Sequence, residues 1–224
     1  MYQNAQSNTL MSRSLFFLSL LFTAAIATTA QSPATGQILG HDYVDLGLSV
    51  KWATCNIGAD KPEDYGDYFA WGEAETKSEY TKENSATDGK DSFTFHDAAA
   101  EKWGGSWRMP TKAECEELIS NCTCTWTIID GHKGCKLTSE KNSNSIFLPA
   151  AGLRDEELFA LADTMGNYWS SSSSDKSYFL HYKDKPRVEI KNGLAHGLAF
   201  FVDDAPGLDT SLRYGGSPIR PVTE

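Results

Sequence analysis

The sequence predicts an α+β domain, and three observations carry that expectation. A strict alternation of apolar and polar residues lies near the start of the folded region, helix-start signals follow in the middle, and tight-turn dipeptides punctuate an apolar second half. The composition is that of a folded globular chain, with 40% hydrophobic, 12% aromatic and 22% charged residues in 224. A net charge of −10 repels phosphate and anionic lipid, so nucleic acid is not an expected partner.

The alternation runs Val44, Leu46, Leu48, Val50, Trp52, separated by Asp45, Gly47, Ser49 and Lys51, and reads as one strand with a single buried face. Residues 61–90 are rich in Asp, Glu, Gly and Lys but carry Tyr65, Tyr68, Phe69 and Trp71, which predicts an irregular excursion pinned by aromatics. A short helix is expected over 96–103, stopped by Gly104-Gly105. A second starts at Thr111, where Thr111 and Glu114 have the spacing of a capping box after Pro110, and runs to about Asn121. Beyond it, Asp130-Gly131 predicts a tight hairpin and 146–151 an apolar strand. Asn192-Gly193 predicts a second hairpin joining 187–191 to 194–202. Residues 155–163 read as loop, and the serine run 170–174 reads as an interruption.

Residues 1–30 read as a signal peptide, with Met11 as an alternative start. Arg13 precedes an apolar run from Leu15 to Ile26, and small residues then permit cleavage after Ala27 or Ala30. The run is shorter than the about 20 residues of a spanning helix, so no transmembrane segment is expected after cleavage. Residues 31–40 read as a flexible leader and 41–224 as a single domain that is exported, either secreted or associated with the cell surface.

Five cysteines follow, Cys55, Cys115, Cys122, Cys124 and Cys135, so at least one thiol is unpaired in a monomer. Cys124 and Cys135 flank the Asp130-Gly131 turn and are the candidate disulfide. Cys115, Leu118, Ile119 and Cys122 share one helical stripe, where a thiol acts as a small hydrophobe. The grouping of Cys122, Cys124, His132 and Cys135 fits none of the common zinc spacings.

The phrases DLGLSVKWATCNIGA (45–59), PEDYGDYFAWGE (62–73), WGGSWRMPTKAECEELISNC (103–122), NSIFLPAAGLRD (144–155), YWSSS (168–172) and GGSPIRPV (215–222) resemble the Fibrobacter succinogenes major paralogous domain. That resemblance covers nearly the whole mature chain. It implies a bacterial exported protein with a C-type lectin-like fold, in which the terminal strands pair and a long loop region projects from the sheet. The stretch 107–114 is also similar to the helix-start phrase of formylglycine-generating enzymes. Those enzymes use cysteines late in the domain, and no cysteine follows Cys135 here.

For function, the expectation is a non-catalytic module recognising a carbohydrate or a protein. A formylglycine-generating-type oxidase and a structural subunit of a surface assembly are the alternatives. No cofactor is required by this reading. Asp203, Asp204 and Asp209, with Asp163 or Asn192 joining in space, are the candidate oxygen ligands for calcium, although the triplets of calcium-binding lectins are absent. Tyr214, next to Gly215-Gly216, is the candidate exposed aromatic contact; Trp169 is expected in the core, and Arg220 in an ion pair with an acidic neighbour. The five histidines are dispersed, and no nucleophile elbow or phosphate loop is present.

Overall fold

The computed structural model describes residues 32–156, 158–180, 188–202 and 204–224. The signal peptide expected over 1–30 lies outside the described residues. The first sheet opens inside the segment expected to be a loose leader: β1 (Gly36–Ile38) pairs with β2 (His41–Val44) through a turn in which Leu39 and Gly40 have φ of 49° and 88°. Positive φ at both central residues is the geometry that lets a two-residue turn follow the strand twist. Ser32 is also held, its amide donating to the Ser145 carbonyl at 2.9 Å.

The alternation over 44–52 does not form one strand. Val44 ends β2, the chain loops out, and β3 (Lys51–Ala53) returns beside β2 with Val44 opposite Trp52. Gly47 makes the excursion feasible at φ 70°, and its amide donates to Asp45 Oδ1 at 2.7 Å. Val44, Leu46, Val50 and Trp52 are nonetheless buried together. The alternation therefore reports which side chains turn inward rather than a continuous pleat.

Residues 54–97 form the expected excursion, stitched down by ring polar atoms. Tyr68 Oη donates to the Ala151 carbonyl and Tyr80 Oη to the Tyr68 carbonyl, both at 2.5 Å, while Trp71 Nε1 donates to the Ser170 carbonyl at 2.9 Å. Each ring thus buries apolar surface and satisfies a loop carbonyl at once. The helix α1 (Ala98–Trp103) is capped by Asp97 and closed at Gly104, φ 69°. The helix α2 (Lys112–Asn121) carries the complete Thr111–Glu114 capping box, reinforced by Arg108, which grips Glu114 through two bonds of 2.6 and 2.8 Å.

After α2 the regular elements among the described residues are all strands. β4 (Cys122–Ile129), β5 (His132–Ser139) and β6 (Ser145–Pro149) form an antiparallel sheet around the Asp130-Gly131 turn. β7 (Leu153–Asp155) and β8 (Leu158–Ala160) make a hairpin where a loop was expected. β9 (Met165–Ser173) passes straight through the serine run, with Ser170 Oγ donating inward to the His196 carbonyl at 2.7 Å. A serine that reaches a carbonyl in this way fits a buried strand, which the small polar composition disguised.

The hairpin expected at Asn192-Gly193 is absent. β10 (Tyr178–Leu180) pairs with β11 (Val188–Ile190), whereas β12 (Leu194–Phe201) lies between β9 and β13 (Gly207–Leu212). The dipeptide switches sheets because loop 88–91 holds it. Asn192 accepts from the Gly89 amide and donates to Asp91, while the Tyr178 ring fills the space a Cβ on Gly193 would need.

The α+β expectation, with its lectin-like form, is therefore corrected. The fold is β-rich, 40% strand and 9% helix, built from several antiparallel sheets with only two short helices among the described residues. Local helix signals were read correctly, but they account for little of the architecture.

The sheet that contains β1 to β3 is closed by β14 (Val222–Thr223), with Trp52 opposite Val222. Arg220, just before it, is 1% exposed and has no carboxylate partner among the described residues, contrary to the expected ion pair. Its Nε donates to Asn56 Oδ1 at 2.8 Å, and its two terminal nitrogens donate to the carbonyls of Ala53 (3.1 Å), Thr54 (2.5 Å) and Phe147 (3.0 Å), with Pro62 at 3.5 Å. Burial lowers its pKa, and the surrounding oxygens replace the water it has lost. Two core clusters flank this point, one around Trp52, Leu137 and Phe200, the other around Phe69, Met109 and Trp169, which is buried as expected.

A second buried charge has a worse environment. Asp88 is 5% exposed; its Oδ2 accepts from Tyr178 Oη at 3.1 Å, while Oδ1 has no hydrogen-bond partner among the described residues. Desolvation raises its pKa despite that bond and the nearby Lys82 and Arg213.

Replacement of Arg220 by alanine strands its carbonyl acceptors and lowers unfolding free energy by about 3–5 kcal/mol in a urea titration; an unchanged midpoint contradicts the account. For Asp88, the folded carboxyl keeps its proton at pH values where the unfolded one, titrating near ~3.9, has lost it. Stability therefore declines as pH rises through that window, and Asp88→Asn removes this part of the slope when the two proteins are unfolded across a pH series. Parallel wild-type and variant profiles refute the assignment.

Candidate functional site

The residues expected to form a calcium site are dispersed. Asp203 lies outside the described residues. Asp204 is exposed and accepts from the Ala205 amide at 2.9 Å, and Asp209, in β13 opposite Gly197, accepts from the Thr210 amide at 2.7 Å. Asp163 is committed to Tyr65 and the Lys133 amide, and Asn192 to Asp91. Among the described residues no group of three or more His, Cys, Asp or Glu side chains is arranged to hold a metal ion. Tyr214 is half-buried, and burial, with Asp155 next in effect, pushes its hydroxyl up to about 12.

Next to Tyr214 the chain does enclose a space. A cavity of about 240 Å³ lies between β7, β9 and β13, closed by Gly215 and Ser217. Its floor is rigid because Asn167 is held at both ends: Nδ2 donates to Ser217 Oγ at 2.8 Å, and Oδ1 accepts from Ser211 Oγ at 3.2 Å. Trp169, also in the floor, donates from Nε1 to the Phe69 carbonyl at 2.8 Å. These polar atoms are satisfied, so they shape the cavity rather than wait for a ligand.

Arg154 and Asp155 in the wall are different. The Arg154 backbone is fixed on both sides by Gly216, its amide donating to the Gly216 carbonyl at 2.8 Å and its carbonyl accepting from the Gly216 amide at 2.9 Å. Gly216 is required there, since a Cβ would lie 2.7 Å from the Tyr80 ring. The guanidinium lies 5.2 Å from the Tyr68 ring centre and 4.8 Å from that of Phe159. Among the described residues it makes no hydrogen bond and no ion pair. Two aromatic contacts therefore orient a cation whose donors remain open. It also lines a second cavity of about 340 Å³ with Asp67, Lys77 and Tyr80, where Lys77 is already engaged by Glu73 Oε2 at 2.5 Å. Arg154, Asp155 and Thr210, which all line the first cavity over a largely apolar surface, can hold a small polar ring.

Reading the sequence missed this pair. The only local signal was two charged residues directly after the apolar phrase that ends at Leu153; of the partners that orient Arg154, Phe159 faces it from β8 and Tyr68 comes from a distant loop.

The Cys124 and Cys135 sulfurs are joined at 2.04 Å, between strands whose register sets Cys135 opposite Trp126. Cys55, Cys115 and Cys122 are free. Burial pushes the Cys115 thiol up to about 12 and Cys122 to about 11, with acidic neighbours adding to both, whereas Cys55 is partly exposed. Iodoacetamide at mildly alkaline pH therefore modifies Cys55 well before the other two, as read by peptide mass spectrometry; rapid native-state labelling of Cys115 contradicts this packing.

Comparison with protein-family models, with curated proteins and with solved structures found no match for this chain.

Proposed function

We propose that this chain is an exported or surface-associated binding module that recognises a carbohydrate, with one sugar ring held in the cavity at Arg154 and Asp155. The observation that supports this most is the Arg154 guanidinium, oriented by Tyr68 and Phe159 and without a hydrogen bond or ion pair among the described residues. Hydroxyls on adjacent ring carbons both donate and accept, and the cavity is lined by a residue of each kind, the cationic donor Arg154 and the anionic acceptor Asp155. At about 240 Å³ the space is below the usual range for drug-sized ligands, which suits a single ring. Export is supported by the Arg13 and Leu15–Ile26 signal pattern and by a disulfide, which persists in oxidising compartments. Among the described residues no helix is long and apolar enough to cross a membrane.

The oxidase alternative lacks support, because no cysteine follows Cys135 and two of the three free thiols are buried. Calcium has no part in this reading, since the proposed contacts are a guanidinium, a carboxylate and hydroxyls. Glycan-array binding by the purified protein is therefore expected, equal in calcium and in chelator. Arg154→Ala lowers affinity for the bound glycan by about 10-fold or more, the loss expected for charge-assisted hydrogen bonds. Binding that chelator abolishes, or that survives Arg154→Ala unchanged, disproves the assignment to this cavity.

A further inference from the structure

The wall of the cavity continues into a strip of rings on the surface. Phe159, on β8, is 43% exposed and lies 6.0 Å from the Tyr65 ring; Tyr65 lies 5.0 Å from His132, edge-on at 84°. Tyr65 and His132 are half-exposed, and Leu161, one turn of chain beyond Phe159, is 51% exposed. The strip starts at the cavity itself, because the guanidinium over Phe159 belongs to the Arg154 that lines the wall.

A polar edge accompanies the rings. Asp163 Oδ1 accepts from Tyr65 Oη at 3.0 Å and from the Lys133 amide at 3.2 Å, so its carboxylate is fixed beside Tyr65. The Lys133 amide is the main cause that lowers its pKa from the ordinary carboxylate value; desolvation, next in effect, opposes it, and Tyr65, Lys133 and His132 lower it further. The surface thus alternates apolar ring faces with a charged acceptor and an imidazole. That alternation matches sugar rings in series, each with an apolar C–H face and an equatorial rim of hydroxyls. A helical or strand-forming peptide would instead need a groove or an open row of amides, and the strip offers rings from three separate segments, Tyr65, His132 and Phe159.

We propose that the ligand is an oligosaccharide chain, with its terminal ring in the cavity at Arg154 and its following rings over Phe159, Tyr65 and His132. This inference rests on the carbohydrate reading of the cavity and goes beyond it by naming an extended glycan and the residues that read its length. His132 and Leu161 are contact residues for the chain and not for the terminal ring.

The test is isothermal titration of the purified protein with β-linked gluco-, xylo- and chito-oligosaccharides, each series running from the monosaccharide to the tetrasaccharide. In the series that binds, affinity rises by about 10-fold with the added rings, and His132→Ala and Leu161→Ala each remove most of that gain while monosaccharide affinity stays within about twofold. Both side chains are at the surface, so an unchanged thermal transition certifies the variants as folded. Equal affinity for all lengths, or a gain that survives both replacements, overturns the extended-chain inference and leaves the cavity reading in place. Loss of monosaccharide binding in His132→Ala with the fold intact also overturns it, since His132 would then act on the terminal ring. Failure of every monosaccharide and oligosaccharide in these series to bind the wild-type protein sinks the inference along with its premise.

Discussion

The burial of one guanidinium sets the conditions for much of this fold. Arg220 reaches the ends of β3, the start of the aromatic excursion and β6, and it does so through carbonyl oxygens rather than charges. A planar fork with five donors is the one side chain able to satisfy acceptors on three segments at a single point. In the interior an unpaired cation is costly, so these segments must all be present and aligned before the arginine can enter. The sheet closure between β3 and β14 sits immediately beside it. Strand pairing and cation burial thus enforce one another.

The same economy of contacts recurs in the excursion over 54–97. A segment with so little regular structure has many backbone groups to satisfy. Here the tyrosine and tryptophan polar atoms supply donors for its carbonyls and for those of neighbouring strands, as with Tyr80 to Tyr68, Tyr68 to Ala151 and Trp169 to Phe69. The candidate site is a by-product of this arrangement. Tyr68 is buried because its hydroxyl reaches Ala151, and its ring then becomes one side of the clamp on Arg154.

What was legible in the sequence was local. The Thr111–Glu114 box, the helix stop at Gly104 and the Asp130-Gly131 turn are short-range patterns whose partners lie within a few residues, and each forms as written, although the first helix starts at Ala98 behind an Asp97 cap and not at 96. Asn192-Gly193 has the same short-range chemistry and fails as a hairpin because a distant loop and Tyr178 claim it. The alternation over 44–52 identified inward side chains correctly but not the path of the backbone, since Gly47 lets the chain loop while keeping the same faces inward. For the site, adjacency in sequence misled. Asp204 and Asp209 are near neighbours in the chain, yet each carboxylate serves its own backbone. Arg154 stood out little because its orientation comes from Tyr68 and Phe159, and no spacing rule links those positions.

The pairing of Trp52 with Val222 has a consequence for when such a chain can fold. The first sheet cannot be completed, nor can Arg220 find its acceptors, until residues at both ends of the domain have been synthesised. A nascent polypeptide with this topology remains incompletely collapsed while it is being made, and contacts of such long range form late. Until residue 222 has been made, the edge of β3 that it pairs with stays open, so closure of the domain is a late and collective step.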